Sequence, residues 1–430
     1  MNEYAKKYTI MMKSLITGLM MSVLVLGLSA QSGSNFEMGK GLNLSLNNGD
    51  YTFSLGGNMK PTYGYTRDTS ALISSKHRFN MQQAQFSLLG HGKNEKLTFY
   101  ILADFVQTWS LLEAWAGFDL LDDQLFISAG QKLVNTNNKE MIRHQNYFQF
   151  VNPSLVSLNF ANLGREFGLF IEGDFELGSL VIKPSLNFTS GDGINSFGNG
   201  TTDRFDYGGA KFGGRLALLP LGNFSDDNDF LGADLARETS PKFSIGGSFS
   251  TNQGASERVG EGHGNFLFYS QIDENGAFRN AYPNYQKIYA DLVFKYSGFN
   301  AGFEYVNTFG SEIKGLYTDA DPISQTPIYQ SDIAQFLTLG TGFNMQAGYL
   351  FKSNWSFDAR YSQVTPEFAN EGLSVLSNQE ELTFGISKFL KGQAMKIQLN
   401  GGILTFDQFN GNSFIEQSDF TASTALQVIF

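Results

Sequence analysis

Residues 96–120 read KLTFYILADFVQTWSLLEAWAGFDL, and the fold follows from how their polarity alternates. Leu97, Phe99, Ile101, Ala103 and Phe105 hold one parity, against Lys96, Thr98, Tyr100, Leu102 and Asp104. The pattern then resumes with Leu112, Ala114, Ala116, Phe118 and Leu120 against Glu113, Trp115, Gly117 and Asp119. A helix would scatter these residues around its surface, whereas a strand sorts them onto two faces. Each run therefore reads as a strand with one greasy and one polar side.

The same period recurs outward in both directions. Leu180, Ile182, Pro184, Leu186 and Phe188 alternate with Lys183, Ser185 and Asn187, and Trp355, Phe357, Ala359 and Tyr361 with Asp358 and Arg360. About sixteen such runs fit between residues 51 and 430, that over 77–91 being the least regular. Their connections alternate in length. Tight links at 92–94, 121–123, 176–178, 298, 352–353 and 391–392 are interleaved with long segments at 66–76, 134–164, 190–203, 252–282, 310–335 and 365–377. Two links break the rule, a short one at 107–110 and a long one at 219–241. Short turns on one side and long loops on the other are what an all-β, antiparallel up-and-down transmembrane barrel produces. A strand of ~12 residues reaches ~40 Å, enough to cross a ~25 Å apolar band when tilted by ~40°.

Composition narrows the function classes. The 430 residues carry a formal charge of -11, with 47 Gly, 41 Phe and no Cys, so thiolate metal sites and disulfides are excluded. Lys6, Lys7 and Lys13 precede the apolar run Leu15 to Leu28, and Leu28-Ser29-Ala30 then gives the layout of a cleavable secretory signal over 1–30. Its removal takes three Lys and one Glu and leaves the mature chain at -13. Such acidity makes nucleic acid an unsuitable partner. Residues 31–50 read as a periplasmic lead-in and 51–430 as the barrel, placed in the outer membrane of a Gram-negative bacterium among its lipids. His77, His91, His144 and His263 show no metal-ligand spacing, and phosphate-loop and dinucleotide patterns are missing, so neither enzyme, metal nor cofactor is expected.

A chain end of Leu426, Val428 and Phe430 on one face resembles the recognition signal of outer-membrane barrel assembly. Short fragments across the mature chain resemble the phosphate-selective porin O/P family. They are Arg78-Phe79-Asn80 through Leu88, Leu112-Glu113-Ala114-Trp115, Ala129-Gly130-Gln131-Lys132, Arg165-Glu166-Phe167-Gly168, Gly342-Phe343 to Tyr349-Leu350, Ala359-Arg360-Tyr361 and Glu381-Leu382-Thr383-Phe384-Gly385. The resemblance implies a sixteen-stranded porin, trimeric, whose third loop folds inward as a constriction. The chain departs from the family where its second strand is arginine-rich, reading Gln82, Gln83 and Gln85 instead. Glutamine carries no charge for an oxyanion, so any phosphate-like preference is weakened.

The loop 134–164 is too long for a hairpin connection and too aromatic for a linker. Folded toward the lumen, it would bring Lys139, Arg143 and His144 opposite wall carboxylates such as Glu113, with Arg165 as its anchor. Polar parity assigns Lys132, Lys183, Arg215, Arg360, Glu113 and Asp119 to the pore lining. The wall so defined is slightly basic, and charged rings tune ion preference; mutual neutralisation across strands is the competing reading. Trp115 is inward by parity, under the infolded loop or as a rail for solutes. The stretch 219–241, with Asp226, Asp227, Asp229 and Asp234, reads as a solvated acidic turn that could touch a periplasmic partner. The expected function is passive diffusion of small hydrophilic solutes, with weak anion preference. A scaffold subunit of an envelope complex with a plugged lumen is the alternative.

Overall fold

The computed structural model describes residues 34–68, 75–92, 96–106, 111–121, 123–161, 164–191, 208–255, 268–271, 278–310, 315–320 and 326–430. The secretory signal at 1–30 and His263 lie outside these residues. Sixteen strands form the wall: β1 Tyr51–Asp68, β2 Ser75–Gly92, β3 Leu97–Asp104, β4 Leu111–Asp119, β5 Leu125–Leu133, β6 Arg165–Gly173, β7 Leu180–Thr189, β8 Lys211–Leu219, β9 Lys242–Asn252, β10 Tyr285–Tyr296, β11 Phe299–Gly310, β12 Gly340–Leu350, β13 Trp355–Pro366, β14 Gln379–Lys391, β15 Met395–Phe409 and β16 Phe414–Ile429. Each pairs antiparallel with the next, and β16 returns to β1 with Asp419 opposite Asp68 and Ile429 opposite Asn58. The result is a closed barrel. Closure removes every sheet edge from the hydrocarbon, the condition for crossing it with strands.

Period two sorts the side chains as the sequence requires. Leu186, Phe188, Phe212, Leu216, Phe249, Leu292, Phe357, Phe384 and Leu399 are exposed on the outer face. Asn187, Arg215, Ser248, Asp291, Asp358, Arg360 and Lys396 are buried on the inner one. The irregular run 77–91 has a local cause. Opposite the Lys60/Pro61 step the pairing jumps from Gln83 to Met81, leaving Gln82 as a bulged residue. One extra residue inverts the parity: Phe86 and Leu88 pair with Gly57 and Leu55 below the bulge, while Phe79 and His77 pair with Tyr63 and Tyr65 above it.

At the seam, Ser34–Glu37 and Gly41–Leu46 form a hairpin whose second strand pairs with Leu55 to Tyr51, below the end of β16. Phe430 completes the join by exchanging backbone hydrogen bonds with Gly57, at 2.6 and 2.9 Å. On the opposite rim, Phe268–Gln271, Phe278–Ala281 and Leu316–Tyr317 make a small sheet. It packs with Ala255, Ile328, Ile333 and Leu337 in an apolar cluster of its own.

Candidate functional site

The lumen is filled from both ends. From the external rim the loop 134–164 descends into the barrel, where Leu155–Phe160 forms a short helix capped by the Ser154 hydroxyl accepting from Ser157 N. Leu155, Val156 and Phe160 rest on Tyr289, Val306 and Val364, apolar residues of the inner wall. These sit on the parity that is otherwise polar, and they mark the seat of the helix. A free-standing loop has backbone carbonyls that need donors once buried. Wall side chains supply them: Lys60 Nζ donates to Val151 O at 3.0 Å, Lys287 Nζ to Phe160 O at 2.7 Å, and Lys396 Nζ to Asn146 O and Phe148 O, both at 2.9 Å. Arg360 donates to Asn152 O at 3.0 Å and Gln398 to Gln149 O at 2.8 Å. Much of the basic excess on the wall is thus spent on holding the loop. The glutamines of β2 act alike: Gln83 Nε2 donates to Gln145 Oε1 at 2.8 Å, and Asn58 Nδ2 bridges Gln83, Gln85 and Asn146.

The second filling element overturns the reading of 219–241 as a solvated turn. Ser225 to Asp227 are exposed, but residues 228–234 are buried inside the barrel. Phe224 and Leu231 pack with Val181, Ala217, Leu219 and Val293. Asp234 accepts from Asn228 Nδ2 at 2.7 Å and from Gly298 N at 2.7 Å, and Glu238 accepts from Ser225 N at 2.8 Å. Asp229, Asp234 and Glu238 are therefore ties of a folded insert, while Asp226 and Asp227 stay on its exposed turn. Only its tertiary setting reveals this, because Asp-rich turns and Asp-capped inserts share one composition.

The two inserts meet in the lumen. Asp229 accepts from Lys139 Nζ at 3.2 Å and from Arg143 Nη2 at 2.7 Å. Tyr147 stands edge-on to Phe230 with ring centroids 4.9 Å apart. Burial opposes the Asp229 charge, yet Lys139 and then Arg143 outweigh it and hold the carboxyl well below the usual range. Burial pulls Lys139 below its ordinary pKa, with Asp229 working against that shift. For Arg143, burial opposes the charge and Asp229 overcomes it, so the guanidinium titrates above its ordinary value. His144 differs from both. Burial first, then Arg165 and Lys60, lower it from 6.5 to about 3, so it adds no charge to the loop near neutrality.

The other sequence-derived residues are placed as follows. Glu113 does not face the loop cations; its Oε1 takes Arg165, from both Nε and Nη2 at 3.1 Å. Arg165 therefore ties β6 to β4, and the carboxylate it holds belongs to the wall. Arg215 grips Asp291 through both carboxylate oxygens at 2.8 and 2.6 Å. Arg360 pairs with Glu381 at 2.8 Å and lies 3.9 Å from Glu140 of the loop. Lys132 pairs with Glu172 and lies 4.9 Å from the centroid of Trp115. Trp115 is half-buried between Tyr100 and Phe126. Lys183 pairs with Asp174 at 3.2 Å. Asp119 is corrected from pore lining to turn cap: its carboxylate accepts from Leu121 N at 3.1 Å and Asp123 N at 2.7 Å.

The filling is uneven. On β10 to β16, Lys295, Glu304, Asn344, Ser362 and Gln427 are fully buried, as are Asp104, Ser128 and Gln131 on β3 to β5. Along β3 to β7, Tyr100, Trp115, Lys132, Glu172 and Lys183 keep partial exposure on the inner face. Sequence reasoning missed the seats of both inserts. The available signal was apolar residues on lumen parity, Val181, Val293, Val306 and Val364.

Solved structures share this architecture. OmpT of Vibrio cholerae, expressed in the outer membrane, superposes over 90% of this chain and 100% of its own at a TM-score of 0.51 and 8% identity. The outer membrane channel DcaP of Acinetobacter baumannii superposes over 88% and 97% at 0.50 and 11% identity. No protein-family model and no curated protein matches the sequence. At such identities the likeness is one of fold. With its apolar outer belt and closed sheet, the chain is a sixteen-stranded β-barrel of the Gram-negative outer membrane.

Proposed function

We propose that the protein is an outer-membrane channel through which small hydrophilic solutes diffuse down their gradients, with the loop 134–164 setting its constriction. The observation that carries this reading is the polar inner wall together with the partial exposure of Tyr100, Trp115, Lys132, Glu172 and Lys183 along β3 to β7. A barrel serving only as an anchor has no need of polar inner residues left within reach of water.

Charge selection follows from the pairs among and beside these residues. Lys132 faces Glu172, Lys183 faces Asp174, Arg143 faces Asp229, and Arg165 faces Glu113. Each cation is matched, so the geometry lends no support to the anion preference expected from the basic wall, nor to phosphate selection. The resemblance to the phosphate-selective porin O/P family supports the channel reading only through the sixteen-stranded barrel that it implies. A trimer, also implied by that resemblance, remains part of the proposal. The exposed Phe79 on the upper part of β2, beside the short β3 and β4, would be its contact face.

The test is planar-bilayer recording with the purified barrel under a salt gradient. Ohmic steps with a reversal potential within about 10 mV of zero are expected, because matched charges leave little net field. A barrel that inserts yet carries no current, and that co-purifies with stoichiometric partners, would replace the channel reading with the scaffold one.

A further inference from the structure

Building on the channel reading, we propose that the periplasmic insert 220–241 is a built-in plug that narrows the channel by latching onto the loop 134–164, and that full opening consists of its withdrawal. The wall is shaped to receive it. Val181, Ala217 and Val293 give an apolar seat on the inner face, and a Cβ at Gly302 would lie 1.9 Å from Leu231 Cδ2. Leu231 thus occupies space that any other residue at 302 would take.

The two inserts are held differently. Loop 134–164 is fixed by Lys60, Lys287, Arg360, Lys396 and Gln398, donors spread over four strands. The tip of the plug depends on fewer ties. Lys295 donates to Asn228 Oδ1 at 2.9 Å and Ala233 O at 3.3 Å, its Nζ lying 4.0 Å from the Phe230 centroid. Beyond that come the Asp229 latch and the Tyr147–Phe230 contact. Below the tip the chain is a closed neck. Ser225 and Glu238 join its two sides, and Arg237 holds it to the rim through Leu350 O at 2.5 Å and Ser297 O at 3.3 Å. It is a compact loop whose ends are held close by its own side chains.

Strain sits where such a unit would turn. Asp226, Asp227 and Arg237 have φ of 51°, 52° and 51°. Left-handed backbone at non-glycine residues is retained only when the surroundings over-determine it. Asp226 and Asp227 immediately precede the latch at Asp229, and Arg237 is fixed by the rim, so the three mark the flanks about which the tip would turn.

The chain has no cysteine, which allows a direct experiment on the full-length mature protein in lipid. Bilayer conductance is compared for wild type, Asp229→Asn, Phe230→Ala, and a variant with 228–233 replaced by glycine and serine. In parallel, Ala233→Cys is labelled with a membrane-impermeant maleimide, alone and combined with Asp229→Asn. The expected result is small or brief wild-type currents, a rise of several-fold in mean current in the variants, and labelling that is slow alone and at least tenfold faster with the latch removed. Equal currents in all four barrels, or labelling whose rate ignores Asp229→Asn, overturns the plug while leaving the channel reading intact. Silence of all four with latch-dependent labelling supports withdrawal of the plug and sinks the channel reading instead.

Discussion

The burial of Lys396 shows how little of a lumen residue's role is its charge alone. Its ammonium takes two loop carbonyls, and Lys396→Met would leave both without that donor. Each carbonyl keeps a longer bond, Asn146 O from Gln427 at 3.2 Å and Phe148 O from Gln398 at 3.4 Å, so the loss is that of bonds to a charged donor, and loosening of loop residues 145–151 by about 1.5–3 kcal/mol is expected. Amide hydrogen exchange over that stretch is the measurement, and unchanged protection would contradict it. His144 makes a pH prediction. Its folded pKa of about 3 lies below the ordinary 6.5, so between these values the displaced loop binds a proton that the seated loop refuses. Stability of the seated loop is therefore complete above pH 6.5 and falls by up to about 1.4 kcal/mol per unit below it. Asp229, depressed as well, acts in the same direction only in stronger acid. Bilayer current should rise as pH drops from about 6 to about 4. His144→Gln should flatten that rise. The sequence exposed His144 as a histidine among basic residues, but not its neutrality, which depends first on burial and then on Arg165 and Lys60 being brought near it.

Among the elements, the strands were legible and the inward course of loop 134–164 was expected, while the insert 220–241 was not. β10 and β13 stand within two residues of the periodic runs that announced them, and β2 was irregular for the reason its bulge supplies. The short β7 gives a test of the faces. Leu186 lies near its middle and is 60% exposed on the outside. Leu186→Arg should cost about 2–4 kcal/mol, the penalty of a cation near the bilayer midplane. Asn187→Arg, one residue on and facing inward, should escape this particular cost. Denaturant titration of folding into lipid compares the two, and equal losses would mean the faces are not sorted as described. The loop helix Leu155–Phe160 makes the complementary case. Val306→Asp places a carboxylate against Leu155, Val156 and Phe160. Burial of an unpaired charge costs several kcal/mol, so the helix should leave its seat and its amides should lose protection while the barrel stays folded.

Across the whole molecule, the balance of charge is the property that separates fold from selectivity. The chain is acidic overall at -11, yet its lumen is built of pairs, and the wall's surplus lysines are turned to loop carbonyls. Charge reversal at one paired site should therefore act as an imbalance: Arg143→Glu removes a positive charge beside Asp229 and adds a negative one, and should repel the plug as well as favour cations. A reversal potential shifted toward the cation value by about 10–20 mV, with larger current, is expected. An unchanged potential would remove Arg143 from the conducting path.

What the sequence determined by itself is the wall: strand number, closure, and which face meets lipid. Those follow from a period of two repeated over each strand, a local property that each run carries without reference to any other. What only the tertiary structure decided is the content of the lumen. Asp229 meets Lys139 and Arg143 across some ninety residues of chain, and Lys396 meets Asn146 across 250. No periodicity encodes such a meeting, because a buried ion pair and a solvated charge are written with the same residues; they differ only in what the folded chain brings opposite them.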